Sequence, residues 1–182
     1  MRTDRPENWS RAQRRLHWWI AALVFAGFSL AWVMVAVPLR QLLLKFALYQ
    51  LHKTIGLTVF GLTAIRLVVL LRLGRPGWDA TLPPWQRHAA KTMHVLLYGL
   101  LFVVPVLGYL TAATSVTEVP TLFLGVIPIP HIVAADAALS AVVTPVHRAL
   151  AVALVLLACG HALAAVRHHV LGSDVLRRMW RG

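Results

Sequence analysis

Four long apolar stretches alternate with polar, charged connections along the chain. They cover residues 16–37, 46–71, 95–111 and 141–166. Each is close to the roughly 20 residues that an α-helix needs to cross the hydrocarbon core of a bilayer. With their polar ends, the predicted helices cover residues 11–37, 46–72, 87–111 and 140–167. We therefore expect an all-α integral membrane protein, a four-helix bundle that forms a single domain over residues 1–182.

The start of the first stretch favours a helix that stays in the protein. Ser10 followed by Gln13 is the pattern of a capping box, and it predicts a helix that begins at about Arg11. A cleavable signal peptide is the rival interpretation. The apolar run exceeds the roughly 15 residues of the longest usual signal-peptide core, and no small-x-small cleavage site follows it.

The longest connection, residues 111–140, follows the third apolar stretch. Pro120, Gly125, Pro128 and Pro130 exclude a long helix there. Its Leu, Phe and Ile residues predict a lid packed over the end of the bundle rather than a disordered loop.

Composition supports a membrane protein. Hydrophobic residues make up 59% of the 182 positions and charged residues only 13%, which is too apolar for a soluble domain of this length. The net charge of +12 raises the question of nucleic acid binding, which depends on where the cations lie.

The cations are distributed unequally between the two ends of the predicted bundle. Thirteen lie before the first helix, between the second and third, or after the fourth: Arg2, Arg5, Arg11, Arg14, Arg15, Arg72, Arg75, Arg87, Lys91, Arg167, Arg177, Arg178 and Arg181. The opposite end has four, Arg40, Lys45, Lys53 and Arg148. The positive-inside rule then places both termini in the cytoplasm. We expect membrane lipid, and no nucleic acid, to be the partner of this charge.

Histidines inside the apolar stretches are the candidates for function. His147 and His161 are fourteen residues apart on the fourth helix, so they lie on nearly the same face, about 21 Å apart along the axis. Alternating topology places His52 at the level of His147. It places His17 and His94 at the level of His161. The fourth helix therefore presents one histidine to each of two levels in the membrane.

Two opposed imidazoles at one level suit haem better than zinc. Zinc prefers four protein ligands, often thiolates or carboxylates, and the apolar stretches contain almost none. Haem iron already has four porphyrin nitrogens and needs only two axial ligands. The single cysteine, Cys159, excludes an internal disulfide and the CxxCH attachment of c-type haem. We expect two b-type haems (heme b) per chain, enclosed by the bundle.

Small residues favour a particular pairing, because a large side chain one turn after an iron ligand would collide with the porphyrin. A small residue follows four of the histidines by four positions: Ala21 after His17, Gly56 after His52, Ala151 after His147 and Ala165 after His161. Tyr98 follows His94 instead. We predict that His17 pairs with His161 and His52 with His147. His94 is the alternative ligand at the first of these levels, or else bonds a propionate or a quinone.

Three cations lie close to these histidines in the sequence. Lys53 and Arg148 each directly follow a histidine, and each is expected to bind a haem propionate or steer an anionic substrate, unless it reaches to lipid headgroups. Arg66 lies fourteen residues after His52, far inside a predicted span, where a charge needs a partner. We expect Arg66 to contact the cytoplasmic-side haem or its propionates.

Six short motifs carry a resemblance to a known family. They are R-R-L-H-W-W around His17, H-K-T-I-G at 52–56 with the later Arg66, M-H-V-L-L-Y around His94, P-V-L-G at 105–108, F-L-G-V-I-P in the long connection, and the fourteen-residue spacing of His147 and His161. In this order the sequence resembles the bacterial cytochrome b561 family over residues 13–180. The resemblance implies a di-haem four-helix protein of the bacterial inner membrane. It also implies haem ligation by His17, His52, His147 and His161, and electron exchange with quinone, ubiquinone being the expected substrate.

Two functions agree with this resemblance. One branch is similar to a superoxide oxidase, which passes electrons from superoxide to ubiquinone, so the chain can be a self-contained quinone-coupled oxidoreductase. Alternatively, it is a membrane electron-transfer subunit that anchors a soluble dehydrogenase or hydrogenase. The short connections offer little surface to a soluble redox partner and favour the first function. A bundle without haem, with a structural or transport role, is a third possibility.

Overall fold

Four long helices dominate the computed structural model, which describes residues 8–77 and 82–180. They are α1 (Arg11–Ala36), α2 (Leu42–Leu73), α3 (Pro84–Ala113) and α4 (Ala137–Val170). A 3-10 turn (Leu39–Gln41) precedes α2, strands β1 (Thr121–Phe123) and β2 (Ile127–Ile129) lie between α3 and α4, and a short helix α5 (Val175–Trp180) follows α4. All four long helices have the length and apolar composition needed to cross a membrane. The predicted four-helix membrane bundle is confirmed, while Arg2, Arg5 and Arg181 lie outside the described residues.

Three of the helices begin a few residues before their predicted starts. The 3-10 turn leads directly into α2 at Leu42. Helix α3 begins with Pro84 in its first turn, a position where the missing N–H of proline is not needed. Helix α4 begins after Asp136, whose carboxylate accepts a hydrogen bond from the Leu139 amide at 3.0 Å. A polar residue or a proline interrupts the apolar pattern close to each of these starts, at Lys45, Pro84 and Asp136.

A capping box joins the start of α1 to the end of α2. Ser10 and Gln13 exchange side-chain-to-backbone hydrogen bonds as predicted, and α1 begins at Arg11. The buried Gln13 side chain also donates to the Gly74 carbonyl at 2.9 Å. Gly74 ends α2 with φ +70°, a conformation that glycine adopts without strain. One glutamine thus satisfies polar groups at two helix ends.

The helices pack as two pairs around a small apolar centre. Helix α1 packs most closely on α2 and α3 on α4, while α1 and α4 make few contacts. The buried core consists of Ile20, Val59, Leu101, Val104 and Leu154, which come from all four helices. Leu154 lies seven residues from both His147 and His161, so this centre separates the two histidine levels. Most other apolar side chains of the spans face outwards, as expected when lipid is the solvent.

The connection after α3 folds into a hairpin that lies against α2. Strands β1 and β2 are antiparallel, and the turn has positive φ at Leu124 and Gly125. The Gln50 amide donates to the Pro120 carbonyl at 2.8 Å and accepts from the Leu122 amide at 2.9 Å. The Thr54 hydroxyl accepts from the Leu124 amide at 3.0 Å. The connection packs on the bundle as predicted, but polar side chains of α2 hold it. The expectation that its Leu and Ile residues do so is wrong for Leu124, Ile127 and Ile132, which are exposed.

Gln50→Leu should release this hairpin from α2. The Gln50 side chain is only 4% exposed, and its amide group makes the hydrogen bonds to the Pro120 carbonyl and the Leu122 amide. Unpaired buried groups of this kind cost about 1–3 kcal/mol. Hydrogen–deuterium exchange should become faster in residues 119–124 and stay unchanged in α1. Gln41→Leu at an exposed position is the matched control. Unchanged exchange in Gln50→Leu would mean that the hairpin is held by other contacts.

Candidate functional site

His52 and His147 form a pair of facing imidazoles, which we call the outer pair. Their ring centres are 6.5 Å apart and the ring planes are 81° to each other. The Nδ1 atom of His52 lies 3.0 Å from the Gly27 carbonyl oxygen of α1. The Nδ1 atom of His147 lies 3.0 Å from the Val104 carbonyl oxygen of α3. Each ring is therefore fixed by the helix on which its own helix packs most closely.

These two hydrogen bonds determine the tautomer of each ring. A carbonyl oxygen only accepts, so Nδ1 of His52 and of His147 carries the proton and donates. In a neutral imidazole the remaining nitrogen, Nε2, then has its lone pair available. A carbonyl-anchored histidine of this kind is the usual form of a metal-binding histidine.

Two glycines permit the close approach of the helices around the outer pair. A Cβ atom added at Gly108 would lie 3.0 Å from Cε1 of His147. One added at Gly27 would lie 3.0 Å from Cγ2 of Ile55. Sequence reasoning placed Gly108 in a motif but gave it no role. Its role is to leave room for the His147 ring.

Three histidines at the other level form the inner cluster, His17, His94 and His161. The centres of the His17 and His161 rings are 6.3 Å apart, with planes 80° to each other. The His94 ring is 5.3 Å from the His161 ring, with planes at 69°. The structure thus brings both of the residues proposed as partners of His161 next to it.

Arg66 lies beside the inner cluster. Its guanidinium is 5.4 Å from the centre of the Tyr98 ring, a cation–π contact. It is also close enough to interact electrostatically with His17, His94 and His161. The fourteen-residue spacing from His52 therefore does place this charge at the second histidine level. Arg66 therefore lies near three imidazoles and a phenol ring, and its charge would attract an anion at this level.

The helices that carry the His17–His161 and His52–His147 pairs pack loosely on each other. Helices α1 and α4 make few contacts, and α2 and α4 have almost no close backbone contact. The rings of the His17–His161 and His52–His147 pairs lie across these gaps. A Cβ atom added at Gly56, one turn after His52, would have no neighbouring atom within 4 Å.

The histidines at each level fit a metal ion whose other ligands are supplied by a cofactor. Within residues 8–77 and 82–180 there is no group of three or more His, Cys, Asp or Glu side chains suited to a bare metal ion. A bare zinc site needs four ligands, whereas haem iron needs two. Two facing imidazoles at each level, anchored to backbone carbonyls in the outer pair, therefore fit haem.

The cations near the outer pair have different surroundings. The Lys53 amine donates to the carbonyl oxygens of Val119 at 3.3 Å and Pro120 at 3.1 Å, so it holds the hairpin. Lys45 donates to the Val37 carbonyl at 2.7 Å and caps the end of α1. Arg148 is exposed, and it is near enough to His147 to interact with it electrostatically.

A histidine in the long connection has a structural role that the sequence did not reveal. His131 shares a hydrogen bond of 3.0 Å with the Thr121 hydroxyl and packs edge-on against Tyr109. The Tyr109 hydroxyl donates to the Pro130 carbonyl and accepts from the Ile132 amide. Together these contacts tie the hairpin to the end of α3.

Four helices suited to span a membrane, with facing imidazoles at two levels, are the arrangement expected of a membrane cytochrome. The family model described as prokaryotic cytochrome b561 matches residues 8–182, and the chain belongs to this family. It is similar to cytochrome b561 homolog 2 of Escherichia coli (strain K12), with 29% identity over 178 residues, 97% of this chain and 93% of the relative. Cytochrome b561 homolog 1 of the same organism is 29% identical over 181 residues, 96% of this chain and 98% of the relative. The protein is therefore a bacterial membrane protein of electron transport that binds b-type haem.

The haem should be extractable without breaking a covalent bond, because one thiol cannot supply a CxxCH attachment and Cys159 is free. Acidified acetone should remove all colour from the purified protein, and pyridine haemochrome analysis of the extract should identify haem b. Cys159→Ser should have the same haem content as the wild type. Colour that stays with the denatured protein would contradict this.

Proposed function

We propose that each chain binds two haem b groups at two levels of the bundle. His17 and His161 hold the inner one, and His52 and His147 hold the outer one. The observation that carries this proposal is the presence of two imidazole pairs with nearly the same spacing, 6.3 Å and 6.5 Å between ring centres. When bound, haem at each level would supply one-electron chemistry.

The spacing supports coordination by both rings of each pair. Two metal–imidazole bonds of about 2 Å on opposite sides of one metal ion place the ring centres about 6 Å apart. The two proposed pairs match this value. His94 is 5.3 Å from His161, which is short for such a pair. His17 is therefore the better partner for His161, and His94 is a positioning residue beside it.

Arg66 supplies the positive charge for the inner site. A propionate taken out of bulk water needs a cation or hydrogen-bond donors. Arg66 lies inside α2 beside all three histidines of the inner cluster and makes a cation–π contact with Tyr98. This placement supports a contact between Arg66 and the carboxylates of the inner haem.

We place both termini in the cytoplasm, so that the outer pair faces the periplasm. The support is the distribution of charge, with thirteen cations at the end of the bundle that contains the termini and four at the other end. The inner cluster then lies near the cytoplasmic surface.

The function that this arrangement supports best is electron transfer across the bilayer to or from the quinone pool. Superoxide is the proposed donor at the outer side and ubiquinone the proposed acceptor. Two superoxide anions each give up one electron and become O₂. Ubiquinone takes up the two electrons and two protons and becomes ubiquinol.

The outer surface has cations that can attract an anionic donor. The amines of Lys45 and Lys53 bind backbone carbonyls. Arg40 and Arg148 are exposed, and Arg148 directly follows His147. We therefore assign long-range attraction of superoxide chiefly to these two arginines, whose effect should weaken as salt is added.

Replacing the proposed ligands tests the central assignment. The wild type should contain two haem b per chain by pyridine haemochrome. His147→Ala and His52→Ala should each remove the outer haem, and His161→Ala and His17→Ala the inner one, because an alanine leaves one axial position empty. His94→Ala should retain both haems.

The controls for this series are His88→Ala and His169→Ala, two exposed histidines away from both levels. A ratio of one haem in the wild type, or two haems retained in His147→Ala, would contradict the pairing. Loss of the inner haem in His94→Ala but not in His17→Ala would show that His94, and not His17, is the ligand.

Gly108→Ala should disturb the outer site without removing a ligand, because the new methyl group would lie 3.0 Å from the His147 ring. We expect a shifted midpoint potential for the outer haem in a redox titration. Gly99→Ala on the same helix is the matched control, since a Cβ atom there would meet nothing within 4 Å. Equal titrations for the two variants would show that His147 does not hold the outer haem.

An assay with the isolated chain tests the proposed reaction. Superoxide should reduce ubiquinone in liposomes that contain only this protein. Arg148→Gln and Arg40→Gln should lower the rate at low ionic strength and have less effect at high salt. Arg177→Gln, a control at the other end of the bundle, should leave it unchanged. Absence of superoxide-dependent quinone reduction, together with a soluble dehydrogenase or hydrogenase subunit that co-purifies from native membranes, would favour the anchoring function instead.

A further inference from the structure

A pocket rich in arginine and tryptophan lies between the first turns of α1 and helix α5. Its volume is about 370 Å³. Its lining includes Arg11, Arg14, Arg15, Trp18, Trp19 and Trp180. We call it the arginine–tryptophan pocket. The pocket contains none of the histidines and lies away from the outer surface described above, and Trp18 links it to the inner cluster through an edge-on contact with His17, 5.1 Å between ring centres.

Direct contacts between α1 and α5 form one wall of this pocket. The indole N–H of Trp18 donates to the Met179 carbonyl at 3.1 Å. The rings of Trp18 and Trp180 are 5.1 Å apart and meet edge to face. These contacts are worth roughly 0.5–1.5 kcal/mol each, enough to hold the short α5 beside α1. The pocket is therefore bounded by two elements and is not a single charged helix face.

Among residues 8–77 and 82–180, no acidic side chain pairs with the arginines of the pocket. Arg11, Arg14 and Arg15 have the i, i+3, i+4 spacing that puts side chains on one helix face. In the part of the chain that the structure describes, none of the three makes an ion pair. The Nε atom of Arg14 is buried and has no hydrogen-bond partner there. A buried N–H of a charged group without an acceptor is costly, so an acceptor that enters the pocket would stabilise it.

The position and composition of the pocket identify the acceptor. It lies at the start of a membrane-spanning helix, which is the depth of lipid headgroups. Guanidinium groups bind phosphate through paired, charge-assisted hydrogen bonds. Tryptophan rings are favoured at the same depth. Trp19 lies beside the arginines and is 65% exposed, so its ring is accessible to lipid acyl chains. We propose that the arginine–tryptophan pocket binds the headgroup phosphate of an anionic phospholipid.

Lipid binding to the delipidated full-length chain tests this proposal. Native mass spectrometry should detect retained phosphatidylglycerol at a level well above phosphatidylcholine with the same acyl chains. Arg14→Gln should weaken phosphatidylglycerol binding about tenfold, the effect of losing one charge-assisted hydrogen bond. Arg14→Lys should recover only part of this, because a lysine keeps the charge but lacks the planar fork.

Arg11→Gln is a second variant at an exposed position, in case Arg14→Gln fails to fold, and it should also weaken binding. Arg177→Gln is the matched control, since Arg177 is exposed and lies near Asp174 outside the pocket. Equal binding of the two lipids, or equal binding by Arg11→Gln and Arg177→Gln, would overturn the proposal. Displacement of the lipid by millimolar inorganic phosphate would mean that the pocket is a site for free phosphate instead.

Discussion

The bonds between histidine Nδ1 and a neighbouring helix carbonyl are the interaction on which the outer site depends. His52 donates to Gly27 of α1, and His147 donates to Val104 of α3. Each bond fixes both the rotamer and the tautomer, so that the unprotonated nitrogen remains available. The bonds need close helix packing within the α1–α2 and α3–α4 pairs, while the rings need separation between α2 and α4. The bundle meets both needs because it is built as two helical pairs.

The apolar centre of the bundle separates two levels that have different polar surroundings. Val59 on α2 lies midway between His52 and Arg66, and Leu154 on α4 lies midway between His147 and His161. At the outer level, backbone carbonyls satisfy the polar side chains. At the inner level, Arg66 adds a full charge. An anionic group at the inner level therefore has a charged partner within the bundle, where charge interactions are weakly screened.

Much of this arrangement could be predicted from the sequence, because spans and helix faces depend on local periodicity. The spacing of His147 and His161 predicted the two levels, and Ser10 with Gln13 predicted the start of α1. Contacts between distant segments could not be predicted in this way. Gln50 pairs with a strand about 70 residues later, and Lys53, expected near an anion, binds carbonyls of the same connection. Trp18 and Trp180 meet only after α4 returns the chain to the start of α1.

Low-temperature electron paramagnetic resonance of the oxidised wild-type protein tests the central claim most directly. The facing rings of the two proposed ligand pairs have planes 80° and 81° apart. Ferric haem with two nearly perpendicular imidazoles gives a strongly anisotropic low-spin signal. We expect two such signals of equal intensity, one for each level. A high-spin signal in the intact protein, or a single low-spin species, would contradict it.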